Sequence, residues 1–140
     1  MNRFIVLSIL IATIVSCSSR EDVVDFPDSD CPHIQLIDTF SNASIQSLTI
    51  LESSADEKNI KLKVGVSGCD INRPFTLLVS NAIMKSLPPQ QNACIKFPEQ
   101  MCEAYFTTTL CYDRRLIKQE TILNIHTANE VVKLRLPAVP

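Results

Sequence analysis

The sequence predicts an all-β domain over residues 31–140, an antiparallel sandwich of seven or eight short strands stapled by disulfides. Apolar side chains recur there with a period of two, turn-type clusters separate the runs at near-regular intervals, and five cysteines are spread along the stretch. The clearest run is Ile60, Leu62, Val64 and Val66. It alternates with Lys61, Lys63, Gly65 and Ser67, which places four apolar side chains on one face. A helix would scatter them.

The first runs are Ile34 to Ile37 and Leu48 to Leu51, before a turn at Ser53-Ser54-Ala55-Asp56 and the Ile60 strand. Phe75, Leu77 and Val79 form the next. Ile83 to Leu87 reads as a strand end or a helical turn, which Pro88-Pro89 stops in either case. Ala93 to Phe97, then Ala104, Phe106, Thr108, Leu110 and Tyr112, continue the pattern. Thr121 to Ile125 and the run Val132, Leu134, Leu136 flank a turn at Thr127-Ala128-Asn129-Glu130. Strands of this number and spacing describe an immunoglobulin-like topology. Within it, Tyr112-Asp113 with Leu116 reads as a corner whose ring packs inward and whose hydroxyl reaches nearby backbone.

Gly65 and Gly68 are the two glycines of the chain, so Asn, Asp, Ser and Pro must make the turns. Gly68 ends the best strand just before Cys69, where a positive φ or a bulge would let the thiol change face. A glycine-rich phosphate loop cannot be built from this inventory. Residues 31–140 suffice for one domain, and carry eleven Lys and Arg against ten Asp and Glu. With no basic stripe and few aromatics, nucleic acid is excluded as a partner.

At the N-terminus Arg3 precedes an apolar stretch from Phe4 to Ile14, which ends in Ile14-Val15-Ser16-Cys17. A basic head and an apolar stretch of this length engage the secretion machinery and are too short to span a bilayer. The last four residues resemble the lipobox of bacterial lipoproteins. That resemblance implies a signal peptide over 1–16 and a diacylglycerol on the Cys17 thiol, with the membrane held through this lipid. Residues 17–30 follow with five acids, Glu21, Asp22, Asp25, Asp28 and Asp30, against Arg20, the composition of a flexible tether. Acids behind a lipidated cysteine are similar to the surface-export signal of Bacteroidota lipoproteins, and a periplasmic spacer is the other reading. The expected location is the bacterial cell envelope, lipid-anchored in the outer membrane on its periplasmic or surface side.

An exported domain sits where paired thiols persist as disulfides. With Cys17 acylated, five cysteines remain, so at least one has no partner within the chain. Cys102 shares the inward parity of Ala104, Phe106 and Leu110, which favours an interior bridge to Cys69. Cys94 and Cys111 have the outward parity, and bridging them across adjacent strands leaves Cys31 over.

The order Ser67-Gly68-Cys69, Phe75-Thr76-Leu77, Ser86-Leu87-Pro88-Pro89-Gln90, Cys102-Glu103-Ala104, then Leu110 with Tyr112-Asp113 and Leu116, carries a further resemblance. It is similar to a family of small uncharacterised lipoproteins from Bacteroidota and related bacteria, over about Leu48 to Leu136. The resemblance implies a sandwich with the Cys69–Cys102 bridge and brings no known activity. Where that family pattern has histidines near the two cysteines, this chain has Asn72 and Arg73, and Lys96 and Phe97, so no metal-ligand role carries over.

Nucleophilic catalysis needs a Ser, Cys or Thr beside a positioned base, and the chain offers only His33 and His126, neither in a triad motif. Glu103 and Asp113 lie ten residues apart along one strand, roughly 33 Å at strand rise and too far for paired-acid chemistry. The expectation is a non-enzyme without cofactors. Cys94, Met101, Cys102, Cys111 and Met84 supply soft atoms that would suit Cu(I) if the thiols were reduced, at spacings that match no zinc motif. The leading expectation is a lipid-anchored binding or structural module for an envelope protein or glycan. Its alternative is an inhibitor of an exported hydrolase, with Pro88, Pro89, Gln90 and Gln91 forming a loop that loses little entropy on docking.

Overall fold

A computed structural model describes residues 31–140. The signal segment 1–16, Cys17 and the tether to residue 30 lie outside the described residues. Eight strands follow in order: β1 Gln35–Ile37, β2 Thr49–Ala55, β3 Asn59–Ser67, β4 Thr76–Met84, β5 Gln90–Lys96, β6 Tyr105–Asp113, β7 Thr121–His126 and β8 Val131–Leu136. A five-stranded sheet, β1-β4-β5-β7-β8, stacks on a three-stranded sheet, β2-β3-β6. Between them lie the inward side chains the alternation marks, among them Ile60, Leu62 and Val64 of β3, Leu77 and Val79 of β4, and Leu123 and Ile125 of β7. Each such side chain, fully buried, contributes on the order of 1.5–3 kcal/mol.

Immunoglobulin-like sandwiches place strands A, B and E in one sheet and C, F and G in the other. Here β2, β3 and β6, and β4, β7 and β8, follow the same division. The pairing is not wholly antiparallel as expected, because β1 runs parallel to β4 and β5 runs parallel to β7. The β4–β5 hairpin is oriented with β5 toward the sheet centre. The run Ala93-Cys94-Ile95 explains this, since it is buried throughout and suits a strand covered on both faces.

Local chemistry moves some boundaries. β2 continues through Ala55, and the turn falls at 56–58, where Asp56 Oδ1 accepts from the backbone N–H groups of Lys58 and Asn59 at 2.7 Å each. Strand β4 reaches Met84 by way of a register shift between Val79 and Ile83. The Tyr112 ring is buried as expected, but its hydroxyl donates across the sandwich to the Phe75 carbonyl at 3.3 Å. Leu116 is exposed, and Ile117 takes the buried place instead.

Neither glycine has a positive φ, so Gly68 does not turn the chain in the expected way. Its role is close approach. A Cβ there would come within 2.7 Å of Arg73 Nη1 and of Gln100 Oε1. Arg73 lies buried against the rings of Phe75 and Phe97 and donates to the carbonyls of Ser67 at 2.6 Å and Pro98 at 3.2 Å. Gln100 Oε1 accepts from the N–H groups of Cys69 and Asp70. Gly68→Ala should displace this cap and cost roughly 1–3 kcal/mol, seen as a lower urea midpoint at unchanged slope.

The Cys69–Cys102 bridge is present, with Cα atoms 5.1 Å apart. It closes the open end of the β3–β6 ladder on exposed residues and is not interior as expected. The expected Cys94–Cys111 bridge is absent: Cys111 joins Cys31, and Cys94 is free and buried. Both thiols do point away from the core, but from different sheets. Cys111 stands opposite Lys61 of β3, and Cys94 stands between Leu78 of β4 and His126 of β7, so the whole core separates them.

Candidate functional site

The loop singled out by its prolines leads from β4 into β5. Ser86 Oγ donates to the Pro88 carbonyl at 2.7 Å, and the Leu87–Pro88 peptide is cis. Gln90 and Gln91 are not presented to solvent partners as expected of a binding loop. Gln91 is buried and its Nε2 donates to the Ser80 carbonyl at 2.8 Å, while Gln90 Oε1 accepts from Asn124 Nδ2 at 3.1 Å.

What the loop presents is apolar. Leu87 is 100% exposed, Ile83 50% and Met84 41%. Leu116, on the β6–β7 connection, is 57% exposed beside them. The shallow hollows on either side share Ile83 and Gln119, so these side chains form one continuous ridge at the end of the sandwich where β6 finishes. β1 pairs only with Leu78, Val79 and Ser80, so the tail of β4 is paired with β5 on one edge and has no strand on the other. Lys85 and Lys118 border the ridge, with no carboxylate partner among the described residues.

The chain enters beside the last residues of β6 and the start of β4, where Pro32 shares a hollow with Ile71, Arg73 and Phe75, and β1 then runs parallel to β4 toward the ridge. Cys31 is bridged to Cys111, the Pro32 carbonyl accepts from the Asp113 N–H at 2.8 Å, and the Ile34 N–H donates to the Asp113 carbonyl at 3.2 Å. Asp113 Oδ2 lies 3.3 Å from His33 Nδ1 and accepts from Arg115 Nε at 2.6 Å. Burial alone would raise the Asp113 pKa, but the Arg115 hydrogen bonds and charge outweigh it and hold the carboxyl below its ordinary value.

A polar ladder lines the outer face of the larger sheet. His126 Nε2 and Asn92 Oδ1 are 2.9 Å apart, the Phe40 ring packs on His126, and Cys94 is the register neighbour of His126. Thiol, imidazole and amide together have the composition of a cysteine nucleophile site. The protonation is wrong for one: burial raises the Cys94 pKa against the smaller pull of Lys96, which favours the inert thiol. Cys94 should therefore resist iodoacetamide in the native protein and be alkylated only on unfolding, as peptide mapping would show.

The other sequence candidates do not converge. Cys102 and Cys111 are in disulfides, and Met84 ends β4 while Met101 lies on the β5–β6 connection at the opposite end of the sandwich, so the soft-metal set is not assembled. His33 sits beside β6 and His126 on the larger sheet. Sequence reasoning located the loop but missed Ile83, Met84, Leu87 and Leu116; the signal was the adjacent pair Ile83-Met84 followed by Leu87 just before the prolines.

The two disulfides mark the domain as one of an oxidising compartment. Among the described residues no helix is long and apolar enough to cross a membrane. No protein-family model matches the chain, and no curated protein matches it. Among solved structures it is similar to a DUF1344 protein of unknown function from Bacteroides vulgatus, with a TM-score of 0.49 and 7% identity over 75% of this chain. The chain spans 56% of that protein's length.

Proposed function

We propose that this chain is a lipid-anchored protein of the bacterial cell envelope whose folded domain is a binding module without chemistry of its own. The observation that carries the reading is the cluster of Ile83, Met84, Leu87 and Leu116, exposed apolar side chains gathered around two adjoining hollows, whereas the exposed Leu51, Met101, Tyr105 and Val131 line neither of them. The lipobox-like Ile14-Val15-Ser16-Cys17 and the resemblance to Bacteroidota lipoproteins support the anchor, and the disulfides agree with export. The buried Cys94 and the separated histidines support a role other than catalysis. Cells fed radiolabelled palmitate should label the native chain and not Cys17→Ser; label absent from the native chain would overturn the anchor.

The inhibitor reading rests on one observation, the full exposure of Leu87 at the tip of a proline-shaped loop. An inhibitor of this kind would slow a lysozyme or an exported protease, and Leu87→Asp would abolish the effect. A flat response to excess protein removes this reading.

A further inference from the structure

We propose that the free edge of β6 is a docking site for the chain's own acidic segment, residues 24–30, which adds to it in parallel just before Cys31. β6 pairs with β3 along its whole length. On its other side, among the described residues, only Asp113 is engaged: its N–H donates to the Pro32 carbonyl and its carbonyl accepts from the Ile34 N–H. Alternate residues of a strand turn these groups the same way, so Thr107 and Thr109 present theirs to a side where no described strand lies. Residues 105–110 carry no charge, proline or glycine. The other edges are guarded: β8 carries Lys133 and Arg135, β2 is broken by a register shift between Ile50 and Glu52, and β1 has three residues. An unguarded edge of this kind takes up a strand.

The place of entry names the occupant. Cys31 is bridged to Cys111, 80 positions on, and His33 pairs in parallel with Asp113 at the same offset. Continued backwards, that register sets Ser29 beside Thr109 and Pro27 beside Thr107. Thr109 then bonds the Asp28 carbonyl and the Asp30 N–H, and Thr107 the Phe26 carbonyl and the Asp28 N–H. Pro27, which has no N–H, falls where that group would face away from β6. Charge agrees with this register. Arg73 lines the hollow with Pro32 and Leu110, is 6% exposed, and has neither a carboxylate partner among the described residues nor a hydrogen bond at Nε. Asp30 shares the facing of Pro32 and Leu110 and brings a carboxylate to the mouth of that hollow. Resting on the lipid-anchored reading, the tether left between Cys17 and residue 24 spans at most about 25 Å and leaves the domain at the start of β6. The ridge, at the end where β6 finishes, then faces away from the membrane and is open to a partner.

The test uses the oxidised full-length chain with Cys17→Ser, so its outcome does not depend on the lipid, and failure here leaves the anchor standing. Amide hydrogen exchange is read residue by residue by NMR. Thr107 and Thr109 should exchange slowly, and Asp28→Pro, which removes a donor aimed at β6, should speed both by roughly tenfold or more. Ser29→Pro, whose lost N–H would face away, should leave them slow. Slow exchange at Val64, buried in β3, shows that the domain stays folded in each variant. Fast exchange at Thr107 and Thr109 in the parent chain overturns the docking. Equal effects of the two prolines overturn the register on which it rests. Protection that falls on dilution assigns the edge to a second copy of the chain, and overturns it as well.

Discussion

Arg114→Ala should lower the thermal midpoint of the domain by roughly 15–30 °C, the equivalent of about 3–5 kcal/mol. Arg114 is 0% exposed and is the largest fully buried side chain. Its guanidinium donates to the carbonyls of Asp56 at 2.9 Å, Ile117 at 3.0 Å and Pro137 at 2.6 Å. One side chain thus ties together the β2–β3 turn, the β6–β7 connection and the C-terminal tail. Truncation leaves three carbonyls without that donor and opens a cavity where no neighbouring side chain can follow. Burial lowers the Arg114 pKa while the charge of Asp56 opposes it, and the group stays cationic at neutral pH. Arg114→Lys keeps the charge but loses the planar fork, so it should recover only part of the midpoint. Melting followed by circular dichroism checks this, and an unchanged midpoint for Arg114→Ala would contradict the staple role.

Loss of the Cys31–Cys111 bridge should be the second large effect. Its sequence separation is 80, against 33 for Cys69–Cys102. Restriction of the unfolded chain then gives about 4.5 kcal/mol for the longer loop and about 3.7 kcal/mol for the shorter. Cys31→Ser should accordingly destabilise more than Cys69→Ser, and it should also release the pairing of Pro32 and Ile34 with Asp113 that seats the entering chain on β6. Denaturant unfolding of the two variants gives the order. The opposite order, or peptide mapping that links Cys111 to Cys94, would contradict the connectivity.

The core was legible because β3 and β6 each bury one face, so a two-residue period separates inward Ile60 and Leu62 from outward Lys61 and Lys63. It failed at β5, where Ala93, Cys94 and Ile95 are buried on both faces and alternation carries no message about neighbours. Parity placed Cys94 and Cys111 outward from their own strands but could not say which sheet each belonged to. Only topology separates those faces, and with them the bridge. The proline pair revealed the loop, yet the exposure of Ile83 and Met84 depends on a register shift at Ser80-Asn81-Ala82, which has no glycine or proline to announce it. Arg114 was hidden for another reason. Set between Asp113 and Arg115, it has the local look of solvated charge, and its burial arises from carbonyls contributed by three distant segments.

Mass spectrometry of the mature protein extracted from membranes tests the anchored-module reading most directly. The N-terminal peptide should begin at Cys17 and carry a diacylglycerol thioether, with the Cys31–Cys111 and Cys69–Cys102 peptides joined and Cys94 reduced. A mature chain that begins beyond Cys17 with an unmodified amine would contradict it.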